Sequence, residues 1–213
     1  MAHPLAGRFS DPITSREELR AFTPDPSPIA RDKVIDHLDA FCREFIGLSP
    51  FVVIASMGEG GWLDLSPKGD PAGFVRILDD KTLAIPDRLG NRRNDTFVNV
   101  FNNPSVGLIF LMPGKRETLR VCGQALLVRD QDLREDLAHK GKVPHSALVV
   151  HVDRIMFHCS KCMVRSGLWE PEKWADVSGV SSLAEAMKVH SQMSEPLDEI
   201  QAIIDASEKE RLY

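Results

Sequence analysis

The stretch Leu83-Ala84-Ile85-Pro86-Asp87-Arg88-Leu89-Gly90-Asn91-Arg92-Arg93-Asn94-Asp95 holds the residues whose types and order speak most directly of chemistry. A strand is expected to end at Ile85, a loop to turn at Gly90, and a helix to start near Asn91-Arg92-Arg93. A helix amino terminus presents unpaired backbone N–H groups and the positive end of its dipole, so it is ready to receive an anion. Two adjacent arginines there repel each other and oppose the dipole unless an anion is bound. Arg92 and Arg93 are therefore the expected anion contacts. The competing reading is a solvated charge pair.

A second cluster of reactive types is Phe157-His158-Cys159-Ser160-Lys161-Cys162-Met163-Val164-Arg165. Tetrahedral zinc needs four ligands and usually a second Cys-x-x-Cys pair. Cys42, Cys122, His151 and His158 could complete such a set only by coincidence of folding, so no metal is expected. A thioredoxin-like role would place the pair at a helix start inside a βαβ unit, which the pattern lacks. Gly58-Glu59-Gly60-Gly61 is no dinucleotide fingerprint, because the third glycine is misplaced and no helix follows. Neither a Walker sequence nor a Gly-x-Ser-x-Gly elbow occurs. His37, His139 and His145 lie on polar or turn segments and read as surface residues, and Tyr213 carries no signal.

The elements that must position these residues follow from periodicity. Five prolines in residues 1–30 exclude most regular helix there. One short helix is expected from Ser15, where Ser-x-x-Glu forms a capping box with Glu18. A stronger helix is expected from about Asp32 to Ile46, burying Val34, Leu38, Phe41, Cys42, Phe45 and Ile46 on one face. From residue 51 the period shortens. Strands are expected at Phe51 to Met57, Trp62 to Ser66, Phe74 to Leu78, Thr82 to Ile85, Val106 to Met112, Thr118 to Val128 and Ala147 to Phe157, joined by tight turns. Helices are expected at Arg92 to Phe101, Gln131 to His139, Leu183 to Met193 and Leu197 to Leu212, with a surface connection at Pro171 to Ser182.

Short strands with tight connections favour an antiparallel barrel over a parallel βαβ sheet. The expected fold class is mainly β with peripheral helices (α+β). Its parts are an amino-terminal arm and helix (1–50), the barrel (51–165) and a helical tail (166–213) of the same single domain. The net charge of −5 argues against non-specific nucleic-acid binding. Four cysteines are too few for a disulfide scaffold, and no window holds the roughly 18 apolar residues of a membrane span. A cytoplasmic protein is the expectation. The strands 106–112 and 118–128 are too apolar to meet water on both faces, which points to a homodimer.

Three stretches, in their order and content, resemble the pyridoxamine-phosphate-oxidase-type FMN-binding family over roughly residues 50–165. They are Leu65-Ser66-Pro67-Lys68-Gly69-Asp70-Pro71-Ala72-Gly73-Phe74-Val75-Arg76, the 83–95 stretch above, and Gly107-Leu108-Ile109-Phe110 followed by Glu117-Thr118-Leu119-Arg120-Val121-Cys122-Gly123-Gln124-Ala125. The likeness implies a split β-barrel in which FMN lies in a groove between two subunits, so that each site draws on both chains. It places the flavin phosphate at Arg92 and Arg93, counts Asn91 beside them as cofactor-binding, and puts Pro86 and Asp87 beside the ring and ribityl chain. Ser66 and Lys68 would add phosphate and ring contacts, although Lys68 also reads as a turn lysine beside Gly69-Asp70. Thr118 would reach the ring edge, with Arg120 on the same strand face. By position, His158, Lys161 and Arg165 would line the substrate side. The oxidase proper carries a Trp where this chain has His158, and an Arg-x-His pattern where this chain has Arg165-Ser166-Gly167. The likeness is therefore nearer to a less characterised FMN-dependent branch than to the oxidase. It implies an oxidoreductase acting on an unknown small molecule by hydride or electron transfer through the flavin N5, and no residue stands out as the proton donor. The alternatives are a flavin- or haem-binding sensor or storage protein without turnover, and a deazaflavin-dependent reductase on the same fold.

Overall fold

A computed structural model describes residues 4, 5 and 7–213. Contacts divide the chain into two units at Val34/Ile35. In the first, α1 (Arg16–Phe22) begins at Ser15 with the expected reciprocal cap: the Ser15 hydroxyl accepts from the Glu18 N–H, and the Glu18 carboxylate accepts from the Ser15 N–H. The short helix α2 (Pro28–Asp32) is capped by Ser27, with proline at its first position.

The second unit opens with Ile35 paired to Ile155 in an isolated antiparallel bridge. That extended pairing keeps the residues before Asp39 out of the next helix, so α3 (Ala40–Leu48) is shorter than the expected 32–46 element. Its start is fixed by the Asp39 carboxylate, which accepts from the Cys42 N–H at 2.8 Å. Leu38, Cys42, Phe45 and Ile46 are buried as expected. Phe41 is instead exposed, and Val34 falls in the first unit.

Seven strands follow: β1 (Phe51–Met57), β2 (Leu63–Gly69), β3 (Arg76–Ile77), β4 (Thr82–Pro86), β5 (Ser105–Leu111), β6 (Thr118–Val128) and β7 (Ala147–His158). They form one antiparallel sheet in the order β2-β1-β5-β6-β7-β4-β3. The helices between and after them are α4 (Asp95–Asn102), α5 (Gln131–Asp136), α6 (Lys161–Ser166), α7 (Leu183–His190) and α8 (Leu197–Glu210). The fold is mainly β with peripheral helices, as the tight connections required. Strand β3 is shorter than expected because Phe74 closes a turn onto the Pro71 carbonyl.

The period-2 pattern of β1, β5, β6 and β7 puts Val52, Ile54, Leu108, Phe110, Leu119, Val121 and Ile155 on one buried face, closed by Phe45 and Ile46 of α3 and Phe97 and Val100 of α4. The opposite face carries Val53, Ile109, Arg120 and Met156 in register, all only half-buried. Between Cys122 and Gly123 the β6–β7 register slips by one residue. A Cβ at Gly123 would stand 1.9 Å from the His151 carbonyl oxygen, so only glycine permits that bulge. Among the described residues, no helix is long and apolar enough to cross a membrane.

Candidate functional site

Strand β2 is an edge strand with a strict alternation: Asp64, Ser66 and Lys68 are half-buried, whereas Leu63, Leu65 and Pro67 face outward. Register with β1 pairs Ile54 with Ser66 and Val52 with Lys68, so both polar side chains lie on the core side of the sheet. Helix α4 is anchored above them by a buried amide. Asn99 donates from Nδ2 to the Ser56 hydroxyl at 3.0 Å and to the Asp64 carboxylate at 2.7 Å. One side chain thus ties β1, β2 and α4 together, and a cleft of about 570 Å³ opens between β2, the 87–94 loop and the start of α4. That volume is within the ordinary range for small-molecule sites.

The α4 start differs from the expectation in a way that matters. It lies at Asp95, three residues beyond Arg92, so the two arginines stand on the loop before the helix and not in its first turn. The reason is local. The Asn91 side chain accepts from the Arg93 N–H at 3.0 Å, and both Arg92 (φ 61°) and Asn94 (φ 58°) adopt the left-handed region. That region is uncommon for residues other than glycine, and for a long side chain such as Arg92 it stores strain. Both arginines are exposed and line the cleft. Arg93 is also engaged: its Nε lies 2.8 Å from Asp95 Oδ2, a bond that raises its pKa further.

The helix start itself is open. Asn94 occupies the cap position without a side-chain cap hydrogen bond, and its carbonyl receives the N–H groups of Phe97 and Val98. The first backbone N–H groups of α4 have no acceptor within the helix. Thr96, in this first turn, lines the cleft and is 3% exposed, and among the described residues no partner reaches its hydroxyl. A buried hydroxyl without a partner costs about 1–3 kcal/mol. Threonine has two staggered rotamers open to it in a helix, so this hydroxyl can turn toward an acceptor at the helix start.

Lys68 faces this point across the cleft, its Nζ 5.8 Å from the centre of the Phe97 ring. Burial pushes the ammonium pKa down, with the Asp87 charge offsetting part of the shift. A half-desolvated cation beside an uncapped helix start favours a small anion. Asp87, which also lines the cleft, is held by Ser146, whose hydroxyl donates to Oδ2 at 3.1 Å.

Six of the expected site residues therefore share one cleft: Ser66, Lys68, Asp87, Asn91, Arg92 and Arg93. Pro86 does not line it, being buried at the end of β4 and paired with Ala147. Thr118 (buried) and Arg120 (half-buried) lie on the other face of the sheet. Their face is fixed by register, since Arg120 pairs with Ile109 and Met156 while Ser66 belongs to the row of Ile54, Leu108, Val121 and Ile155. His158 pairs with Thr118, and Lys161 and Arg165 are exposed on α6. None of these five lines the cleft.

Thr96, Asp64 and Arg88, not among the expected site residues, also line the cleft, as does His145, which reads as a surface residue in the sequence. Thr96 had a usable signal, a hydroxyl residue two places after Asn94 at the head of an apolar helical run. Asp64 had one too, since the period of two along β2 puts it on the same face as Ser66 and Lys68, whereas His145 had none, because only tertiary packing brings it here. Of the cysteines, Cys159 and Cys162 are exposed, and burial pushes the Cys42 thiol up to about 12, leaving it inert. Among the described residues, no group of three or more His, Cys, Asp or Glu side chains could hold a metal.

The family model described as pyridoxamine 5'-phosphate oxidase matches residues 38–159, which span every strand and the whole cleft wall from β2 to α4. The chain belongs to this family. Its split barrel is the seven-stranded antiparallel sheet described above. Among solved structures, a histidine-to-alanine variant of HupZ from Group A Streptococcus is 18% identical with a TM-score of 0.48, covering 57% of this chain and 99% of that one. A protein of the pyridoxinephosphate oxidase family from Clostridium acetobutylicum, related to general stress protein 26, is 17% identical (TM-score 0.41; 55% and 84% covered). An FMN-binding protein from Syntrophomonas wolfei is 11% identical (TM-score 0.43; 55% and 83% covered). No curated protein matches the chain.

Proposed function

We propose that this chain binds FMN in the cleft between β2 and α4, with the phosphate at the open start of α4, and serves as an oxidoreductase of a small molecule. The observation that carries this reading is the partnerless Thr96 hydroxyl at an uncapped helix start, faced by Lys68 and flanked by Arg92 and Arg93. A phosphate monoester satisfies all of these groups at once: it accepts from the hydroxyl and the free N–H groups and neutralises the half-buried ammonium. The residues present thus fit the phosphate end of FMN. Bound FMN would supply hydride or electron transfer at its ring N5.

The second element of the proposal is a homodimer. The half-buried face bearing Val53, Ile109 and Met156 is apolar apart from Arg120 and Arg154 on its β6–β7 side, and edge strand β2 extends it with Leu63 and Leu65, which are 67% and 70% exposed. A contiguous apolar surface of this kind suits a second copy of the chain. Such a copy would also explain why Thr118, Arg120 and His158 lie on the face opposite to Ser66 and Lys68: each site would take its phosphate pocket from one subunit and its ring edge from the other. In this arrangement the residues of the chain bind, orient and shield the cofactor.

The test is a titration of apoprotein with FMN and with riboflavin, which lacks the phosphate, for wild type and Thr96→Val. Wild type is expected to prefer FMN by at least about tenfold, and loss of the hydroxyl to narrow that preference several-fold. Equal binding of the two ligands to wild type would overturn the proposed phosphate site.

A further inference from the structure

The loop that carries Arg92 and Arg93 is gripped from outside the cleft by residues 211–213. Tyr213 donates its hydroxyl to Asp70 Oδ1 at 2.8 Å, and the other oxygen of the same carboxylate holds Arg88 Nε at 2.6 Å. The Asp70 side chain is 1% exposed and that of Arg88 18%, so a buried carboxylate joins two parts of the chain to the half-buried Tyr213. The Tyr213 ring stacks on His139, centroids 4.7 Å apart, and Lys140 Nζ sits 5.2 Å from its centre. Two residues earlier, Arg211 donates directly to the Gly90 carbonyl at 3.3 Å.

Resting on the FMN reading above, we propose that Tyr213 is a positioning residue for the phosphate loop, acting through Asp70 and Arg88 with Arg211 as a second tie. The loop needs such a tie. Within four residues it holds two non-glycine residues in the left-handed region, Arg92 and Asn94, a conformation that persists only where surrounding contacts over-determine it. Its near end is held by the Asp87 N–H on the Ser146 carbonyl, its far end by α4. Between those ends, Arg88 and Gly90 are where residues 211–213 take hold. A buried carboxylate shared by a guanidinium and a phenol is directional as well as strong, which fixes the backbone from which Asn91 to Asn94 depart. A loop held in its binding conformation loses less entropy when the anion arrives, so the tie acts on affinity for the phosphate. Neither Tyr213 nor Arg211 need touch the ligand.

The experiment measures FMN and riboflavin affinity, thermal stability and amide exchange of residues 88–94, for wild type, Tyr213→Phe, Tyr213→Ala and Arg211→Ala. Tyr213→Phe keeps the stacking on His139 and removes only the hydrogen bond. It is expected to weaken FMN binding about three- to tenfold and to speed exchange in the loop, with riboflavin affinity unchanged. Tyr213→Ala should lose more, and Arg211→Ala about two- to threefold. Should Tyr213→Ala fold poorly, Tyr213→Phe still decides, because it keeps the ring on His139 and removes only the bond to Asp70. FMN affinity and loop exchange unchanged in every folded variant would overturn the positioning role. Equal loss of FMN and riboflavin binding would also overturn it, as a general structural effect. Failure of wild type to prefer FMN over riboflavin would instead count against the phosphate site itself, so the two ideas fail separately.

Discussion

The two faces of the β2–β1–β5–β6 sheet meet different demands with the same alternation. On the α4 side, Ser66 shares its row with Ile54, Leu108 and Val121 and Lys68 its row with Val52, Phe110 and Leu119, and the polar atoms there are either paired, as in Asn99 with Ser56 and Asp64, or left without a partner, as in Thr96. On the other side, Val53, Ile109 and Met156 make an apolar surface edged by two guanidiniums, Arg120, whose Nη2 rests 3.2 Å from the Met156 sulfur, and the exposed Arg154, which pairs with Cys122. The first face presents donors that suit an anion; the second presents apolar surface. The two faces lie on opposite sides of the sheet, and register prevents one chain from bringing Lys68 and Arg120 to one point. That separation is what the proposed homodimer resolves.

The largest expected effect breaks the apolar face. Ile109→Asp places a charge at its centre, where burial against a second copy would leave the carboxylate unpaired. Sedimentation of wild type is expected at about twice 23.7 kDa and of the variant at the monomer mass, with FMN lost from the variant. A wild-type monomer that still holds FMN at micromolar concentration would remove the shared-site model.

Next in size is the cleft cation. Lys68→Ala should weaken FMN binding by roughly ten- to a hundredfold and leave riboflavin nearly untouched, as expected for loss of a charge-assisted phosphate contact. A pH series sharpens the assignment. Because burial lowers the Lys68 pKa below its ordinary 10.5, the folded apoprotein sheds this proton before the unfolded chain does. Apoprotein stability from this group therefore rises with pH between the lowered value and 10.5, whereas FMN affinity falls over the same window as the ammonium is lost. Lys68→Ala should abolish both trends at once; their persistence would assign them to another group.

Smaller effects belong to the loop arginines. Arg93 already spends part of its charge on Asp95, and both side chains are exposed, so Arg92→Ala and Arg93→Ala should each cost only about threefold in FMN affinity. The smallest effect is at the exposed thiols: the double change Cys159→Ser, Cys162→Ser should leave FMN content and elemental zinc unaltered.

What could be read from the chain alone, and what could not, divides along the same physical line. The alternation in residues 51–57 and 105–128 is local, and it yields strands, faces and the apolar surface almost at sight. The Ser15–Glu18 cap is local too. The α4 boundary was misplaced because Arg92 and Arg93 suit a helix by propensity, while the Asn91 side chain and the left-handed Asn94 hold the chain out of it for three residues longer. The α3 start slipped for a similar reason, since Asp32 and Asp39 both resemble caps and only the pairing of Ile35 with Ile155 chooses between them. Tyr213 lay beyond any local reading. Its partner Asp70 is 143 residues away, and only the folded chain makes that pair.

The most direct test of the central claim, that one site is built from the cleft of one subunit and the sheet face of another, is complementation by mixing. Lys68→Ala spoils the cleft, and the double change Thr118→Val, Arg120→Met spoils the opposite face while keeping it apolar enough to pair. Each variant alone should bind FMN poorly. Unfolded together and refolded, the two should form mixed dimers in which one site of two is intact, restoring wild-type affinity at about a quarter of all sites. No recovery in mixtures shown to contain the mixed dimer, or full binding by the Thr118→Val, Arg120→Met variant alone, would contradict the shared site.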